Sequence, residues 1–438
     1  MRNLSMDHPL VNKWLVFSAV SLAFFFLNLS TFTSLGVVLY TMVTELHWTM
    51  TAAGFSFSVL GLACGLSSPL PAVCLKWFGG RTTLVLGCVL LLVGFVIASG
   101  SHSIAAFYLS MLLLGIGFSL AGNMPGVYLL AEWFEIGTSR VIGYYLMFGA
   151  LGAACGPLIV EAIVSGHGGW RGHWRWMAVA AGVIAVYCLA FVRDVQRNSH
   201  ANPGHSKPGE HSSLPDERTA MGVVRDEKAD ARWSSRAAIF TWQFFLVAAS
   251  MTFTMTTVTT YSSVVVTHLV NLGATPAAGA VTLSVIAIAA TVVKGGAGRL
   301  CELIPSAYIL AAGLLCQALG SVLLAYAGSG LLQVAGAITF GVGWGLAYVA
   351  GTVVLLDFFG GTTGAKILSI VWLVSTAAAA GPLAAGMIAD RVGSFVPIFL
   401  VFAAFLVVLA VPVSFMRAPV RRTAAASQLS PMAVRQQA

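Results

Sequence analysis

The sequence predicts an all-α integral membrane fold, with twelve transmembrane helices arranged as two six-helix bundles. Three observations carry that expectation: a composition too apolar for water, twelve apolar runs of spanning length, and an internal repeat. Of the 438 residues, 58% are apolar and only 9% are charged, with a mean hydropathy of +0.89. A water-soluble chain of this length needs far more polar surface, whereas a lipid-facing surface removes the need.

A helix requires about 20 apolar residues to cross the hydrocarbon, and its backbone groups must be satisfied internally. The runs are 14–43, 51–75, 82–100, 104–131, 139–164, 175–193, 238–269, 276–299, 306–328, 332–357, 364–388 and 395–416. Connections between them are short except for 194–237. That stretch is rich in charge, Ser, Pro and His and has no apolar periodicity, so it predicts a cytosolic, largely disordered linker. The expected organisation is an N-terminal bundle over 1–193, the linker, a C-terminal bundle over 238–417 and a cytosolic tail over 418–438. The polar start, Met1 to Lys13, leads into an apolar stretch too long for a signal-peptide core.

The net charge of +8 could suggest nucleic acid, but the basic residues are placed as membrane orientation requires. With the N-terminus inside, the cytosolic segments receive Arg2, Lys13, Lys76, Arg81, Arg140, the basic residues of the linker, Arg299, Lys366, Arg417, Arg421, Arg422 and Arg435. The outside receives only Arg171, Arg175 and Arg391. That bias predicts a multi-pass protein of the cell inner (plasma) membrane with both termini cytosolic, and no nucleic-acid partner. Trp48, Trp170, Trp174 and Trp176 fall at outer boundaries, where interfacial aromatics are expected. The seven cysteines lie within or at the ends of apolar runs and show no metal or redox spacing, so they read as small buried apolar residues.

The halves repeat. Ala52-Ala53-Gly54 recurs as Ala277-Ala278-Gly279, Glu132-Trp133-Phe134 as Asp357-Phe358-Phe359, and Gly156-Pro157-Leu158 as Gly381-Pro382-Leu383, each shifted by 225. Gly115-x-Gly117 recurs as Gly341-x-Gly343 with a shift of 226. Matches in one order at nearly one offset indicate duplication of a six-helix unit. An even number of spans preserves orientation, so the repeat axis runs along the membrane normal.

Several stretches resemble the monocarboxylate porter branch of the major facilitator superfamily and the related oxalate/formate antiporters. They are Ser34-Leu35-Gly36-Val37-Val38 with His47-Trp48-Thr49, and the Gly-rich fourth run ending in Trp133-Phe134. The most specific goes from Leu356-Asp357-Phe358-Phe359-Gly360 through Gly381-Pro382-Leu383-Ala384-Ala385-Gly386 to Asp390-Arg391-Val392-Gly393-Ser394-Phe395. The resemblance implies a secondary transporter working by alternating access. Two departures stand out. In the loop Lys76-Trp77-Phe78-Gly79-Gly80-Arg81, Lys76 occupies the place of the family's acid, which puts a conformational latch there in doubt; the second-half counterpart, Gly298-Arg299-Leu300-Cys301-Glu302, keeps its acid. Met111 stands where the superfamily has an Arg in the fourth helix.

An ionisable group within a span is costly and therefore a functional candidate. Lys294 is the clear basic case, where the resembling families place an Arg that partners the substrate carboxylate. Lysine supplies a point charge rather than a bidentate fork. The competing reading is a lysine that snorkels to the cytosolic interface, about 6 to 8 Å away by helix rise. The eighth-helix acid of the branch is Ala290 here, and Ile370 to Met387 contains no charge. One cation favours a monoanion over a dicarboxylate. Glu161, Asp390, Glu132, Glu135 and Asp357 lie near helix ends and read as boundary or loop-contact residues. A coupling proton would then need another carrier, for which Lys294 itself is a candidate.

The resemblance also implies that helices 1, 4, 7 and 10 line the pathway, which adds Asn28, Asn123, Trp344 and Tyr348 as substrate-binding candidates. Tyr145 joins them because Asn123, Tyr145, Tyr348 and Lys294 lie at similar depth. The seventh helix adds Thr252, Thr254, Thr256, Thr257, Thr259 and Thr260. Each has a plain alternative as an interhelical packing or hydrogen-bonding residue. The glycine pairs lie in apolar spans with no strand before them, so they suit helix packing rather than nucleotide binding. No sequence motif implies an enzyme, a cofactor or a metal. The expected function is secondary transport of a small organic anion, a monocarboxylate, by a monomer in the bilayer. The alternative is a facilitator-type exporter of an amphipathic small molecule.

Overall fold

The computed structural model describes residues 9–134, 137–194, 233–328 and 330–419. Glu135, most of the expected linker and nearly all of the expected tail lie outside the described residues. Among those described, every regular element is helical. The first span is α1 (Pro9–Ser30) and α2 (Phe32–Leu46). The second is α3 (Met50–Leu66) continued by the first part of α4 (Leu70–Ser99), whose remainder is the third. The fourth is α5 (Ile104–Ala121) with α6 (Asn123–Trp133), the fifth α7 (Thr138–Ile163) and the sixth α8 (Gly169–Phe191). After the short α9 (Ser235–Ile239) come α10 (Trp242–Asn271), α11 (Pro276–Leu303), α12 (Ser306–Ala325) and α13 (Gly330–Phe359). The eleventh span is α14 (Gly361–Val374), a 3₁₀ turn over Ser375–Ala379 and α15 (Ala380–Val392); the twelfth is α16 (Val396–Ser414). Eleven stretches are long and apolar enough to cross a membrane, and the shorter Met50–Leu66 with Leu70–Phe78 makes the twelfth.

Apolar patterning locates the spans but not their breaks, which have local causes. Pro125 and Pro382 lack an N–H, and their rings clash with the carbonyl four residues earlier. The helix is interrupted at Gly122, and it tightens to 3₁₀ before Ala380. The disturbed Ala378 carbonyl accepts the Thr259 hydroxyl at 3.2 Å. Tyr145 closes the other break: its hydroxyl donates to the Gly122 carbonyl at 3.2 Å and its ring stacks on Phe24 at 4.5 Å. Gly79, at φ 80°, makes the turn between the second and third spans. There the Arg81 N–H donates to Asp194 at 2.9 Å, and the Arg81 guanidinium donates to the Leu189 carbonyl. The acid missing from this turn in the sequence is thus supplied by the end of the sixth span.

The duplication reappears in the packing. A methyl group on Gly115 would lie 2.6 Å from the Leu60 carbonyl oxygen, and one on Gly341 would lie 2.5 Å from that of Ile286. Gly117 packs on Gly87 and Leu91, and Gly343 on Gly313 and Gln317. Every residue in these pairs has its counterpart 226 positions on. Small residues at these crossings let backbones touch.

Two groups of aromatic and sulfur residues differ from the sequence expectation. Trp170 and Trp174 are buried, not interfacial. The Trp170 indole donates to Glu45 at 2.7 Å, and Trp174 stacks on Phe95. The helix turns these rings inward toward neighbouring spans, while Trp176 is exposed. Of the cysteines, only Cys88 and Cys188 are buried, and Cys155 is exposed; a lipid-facing span position needs no burial inside the protein.

The halves meet at the end of the bundle opposite Pro9 and Ser414. The Ser262 carbonyl sits against Gly36, that of Pro382 against Gly54, and that of Met50 against Gly386. One carboxylate spans the seam: Asp390 accepts the Met50 and Thr51 N–H groups, each at 2.8 Å, and the Thr51 hydroxyl at 2.5 Å. It caps α3 in trans, beside the local cap from Thr49. α7 packs along α11 across the same seam. Near the other end of these two helices, Gly143, Gly295, Gly296 and Gly298 adjoin open space.

Two expectations follow. Tyr145→Phe keeps the stacked ring and loses the bond to Gly122, costing about 1 kcal/mol in thermal unfolding of the purified protein; unchanged unfolding would contradict this bracing role. Asp390→Asn weakens the trans cap by about 1 kcal/mol, shifting the balance toward separation of the halves roughly fivefold. Pulsed-EPR distances between labels at positions 44 and 272, in a background without native cysteines, check it; an unchanged distribution would contradict the cap's part in holding the seam.

Candidate functional site

Lys294 lies on α11, half-buried, and turns toward α13. Its Nζ sits 4.0 Å from the centroid of the Trp344 ring and 4.6 Å from that of Tyr348. Trp344 and Tyr348 are four residues apart on α13, so they share one helix face and present two π surfaces to one cation. The residue pattern Gly341-x-Gly343-x-Gly345 makes the approach possible. Gly341 and Gly345 abut the α11 backbone at the Ile286 and Ala290 carbonyls, which draws α13 close to α11. Among the described residues the single ion pair is Arg171–Glu45, so no carboxylate neutralises Lys294 there.

The aromatic wall continues. Trp372 of α14 lies 5.2 Å from Tyr348. It also borders a cavity of about 200 Å³ with Phe32, Phe57, Met255 and Thr259, between the first, second, seventh and eleventh spans. A second cavity, of about 70 Å³, is bordered by Trp344 together with Thr33, Ser262 and Tyr261. The buried Trp344 Nε1–H has no hydrogen-bond partner among the described residues. Both cavities lie on the seam between the halves.

The six sequence candidates fall into two groups. Lys294, Trp344 and Tyr348 come together as one cluster in the second half. Asn28, Asn123 and Tyr145 belong to the first. The Asn28 side chain donates to its own helix at the Phe24 carbonyl, 2.8 Å away, and Tyr145 stacks on that same Phe24. Asn123 is exposed at the start of α6, one residue beyond the Gly122 carbonyl that Tyr145 holds. Tyr145 is fully enclosed and faces packed neighbours. The seventh-helix threonines mostly bond backward along their own helix or across to a neighbour. Thr256 and Thr260 each reach a carbonyl four residues earlier, Thr252 meets Ser375, and Thr257 accepts from Gln317 at 2.8 Å. The acids behave as contact groups: Glu132 accepts from Tyr128, Asp357 from Ser306, and Asp390 from the α3 terminus. Trp372 and Met255 carried no sequence signal, being apolar residues in apolar spans.

The cluster offers one positive charge, aromatic faces and an unpartnered indole N–H. Among the described residues, no group of three or more His, Cys, Asp or Glu is placed to hold a metal ion.

The Major Facilitator Superfamily profile matches residues 20–380, from the first span into the eleventh. An uncharacterized transporter of Bacillus subtilis (strain 168), YycB, is 30% identical over 176 residues, which are 38% of this chain and 42% of that protein. Sugar transport protein 5 of Arabidopsis thaliana is 31% identical over 200 residues, 43% of this chain and 37% of that protein. The matched part therefore spans 42% and 37% of the length of these curated relatives. The solved nucleoside transporter NupG superposes with a TM-score of 0.71 at 16% identity, covering 92% of this chain and 98% of its own. A bacterial homologue of the human lysosomal transporter Spinster, in an inward-facing and unoccupied conformation, gives 0.68 at 16% identity, with 92% and 94% covered. Identities this low speak for the fold alone. The profile covers most of the chain and the helices pack accordingly: this protein is a member of the Major Facilitator Superfamily.

Proposed function

We propose that the chain is a secondary transporter of a small organic anion, a monocarboxylate, with Lys294 as the partner of the carboxylate. The observation that carries this reading is an ammonium held between two aromatic rings, with no acidic partner among the described residues. A carboxylate arriving there gains charge-assisted hydrogen bonds in surroundings of low dielectric. The stretches that resemble the monocarboxylate porters support the same substrate class. A sugar or a nucleoside, the cargoes that the names of sugar transport protein 5 and the nucleoside transporter NupG give for those proteins, is uncharged and would leave the charge of Lys294 unmet.

In this reading the lysine and arginine bias sets both termini in the cytosol of a cell with the protein in its inner membrane. The closed seam at Gly36, Gly54 and Asp390 then faces outward, and the open space beside Gly143 and Gly295 faces the cytosol. Residues 1–193 and 238–417 move as two bundles that rock about the site as a monomer. An ion or exchange gradient drives the cycle, with a proton as the candidate coupling ion.

Lys294→Ala is expected to lower uptake of a labelled carboxylate into proteoliposomes by about 10- to 150-fold at normal membrane levels, the value of one charged hydrogen-bonded contact. Lys294→Arg retains part of it. Unchanged uptake in Lys294→Ala would overturn the proposal and favour an exporter of amphipathic neutral compounds.

A further inference from the structure

We infer that the anion taken by Lys294 is an aromatic carboxylate, its ring lodged against Trp344, Tyr348 and Trp372; this rests on the anion reading above. The geometry narrows what can reach the ammonium. Nζ lies 4.0 Å and 4.6 Å from two ring centroids, so any carboxylate that meets it lies alongside an indole and a phenol. Trp372 extends that wall, 5.2 Å beyond Tyr348, to the rim of the larger cavity. Flat bodies gain offset or edge contacts from such walls that a short aliphatic chain does not.

Volume and polarity agree. An apolar cavity of about 150 Å³ accepts a benzene molecule in another protein; the cavity beside Trp372 measures about 200 Å³ and is lined by Phe32, Phe57 and Met255. A small hydroxy acid would want free hydroxyl partners instead. Two of the three hydroxyls on the larger cavity are committed: Thr259 donates to carbonyls of its own helix and of Ala378, and Ser375 is bonded to Thr252, which leaves Thr376. The smaller cavity adds an unspent indole donor. The Trp344 Nε1–H is buried without a partner among the described residues and borders the smaller cavity of about 70 Å³. It fits a second carboxylate oxygen or a ring hydroxyl. With one ammonium in the cluster and no second cation beside it in the contacts described, the ligand is a monoanion.

The test is the equilibrium affinity of the purified full-length protein for benzoate, cyclohexanecarboxylate and lactate, by titration calorimetry at one pH and salt concentration. Benzoate is expected to bind at least about tenfold more tightly than lactate and more tightly than cyclohexanecarboxylate, which matches its bulk without a π face. Trp372→Leu is expected to narrow the benzoate-to-lactate ratio, while the ratio in the unsubstituted protein needs no variant. Lactate binding as tightly as benzoate, or cyclohexanecarboxylate binding as tightly as benzoate, overturns the aromatic assignment and leaves the anion reading standing. Absence of binding by all three, or benzoate binding unchanged in Lys294→Met, overturns both.

Discussion

An ammonium set among helices with only ring faces around it is the constraint on which the rest of the site depends. Withdrawing a charge from water costs several kcal/mol even after relaxation. Two cation–π contacts return about 0.5–2 kcal/mol each. Lys294 is half-buried, so part of the cost is met by solvent, but the rings alone leave a deficit. A carboxylate of the protein would close it, and none does so among the described residues. In the proposed reading that deficit is what an incoming anion removes, and charge is selected before shape.

That arrangement works only if the charge is reachable from one side at a time. The far end of the bundle is sealed by backbone rather than by long side chains: carbonyls of each half rest on glycines of the other, at Gly36, Gly54 and Gly386. Contacts of this kind are all-or-none, because a backbone pressed on a glycine cannot yield gradually. Asp390 adds polarity to the seal by capping a helix of the opposite half. Such a seal can break and re-form without unpacking either half. Within each half the glycine crossings at Gly115 and Gly341 keep the spans rigid. Rigid halves joined by a weak seam are what rocking requires.

Much of this was legible in the sequence. Span positions follow from apolar run length, and the duplication shows because glycines at backbone crossings admit few replacements. Lys294 was visible as a basic residue inside a span, little more than a turn from its expected cytosolic end. Trp344 and Tyr348 were visible only because the family resemblance puts the tenth span along the pathway. Counting residues along a helix gives depth, however, and not rotation. Tyr145 lies at the predicted depth but faces Phe24 and Gly122, and Trp170 and Trp174 turn inward at a boundary where lipid contact was expected. Asp194 could not be assigned to the Gly79–Arg81 turn, since its partner is more than a hundred positions away. Trp372 and Met255 looked like any apolar residue in a span until the cavity between four helices gave them a role.

The central claim of the proposal is that Lys294 stands in a pathway open toward the end that carries Pro9 and Ser414 and taken by the transported anion. A single cysteine at position 295, in a chain cleared of native cysteines, tests it most directly with a membrane-impermeant thiol reagent. The account predicts rapid labelling in inverted membrane vesicles, little in right-side-out cells, and slower labelling when benzoate is present. Labelling only from the opposite side, or a rate indifferent to every carboxylate, would contradict it.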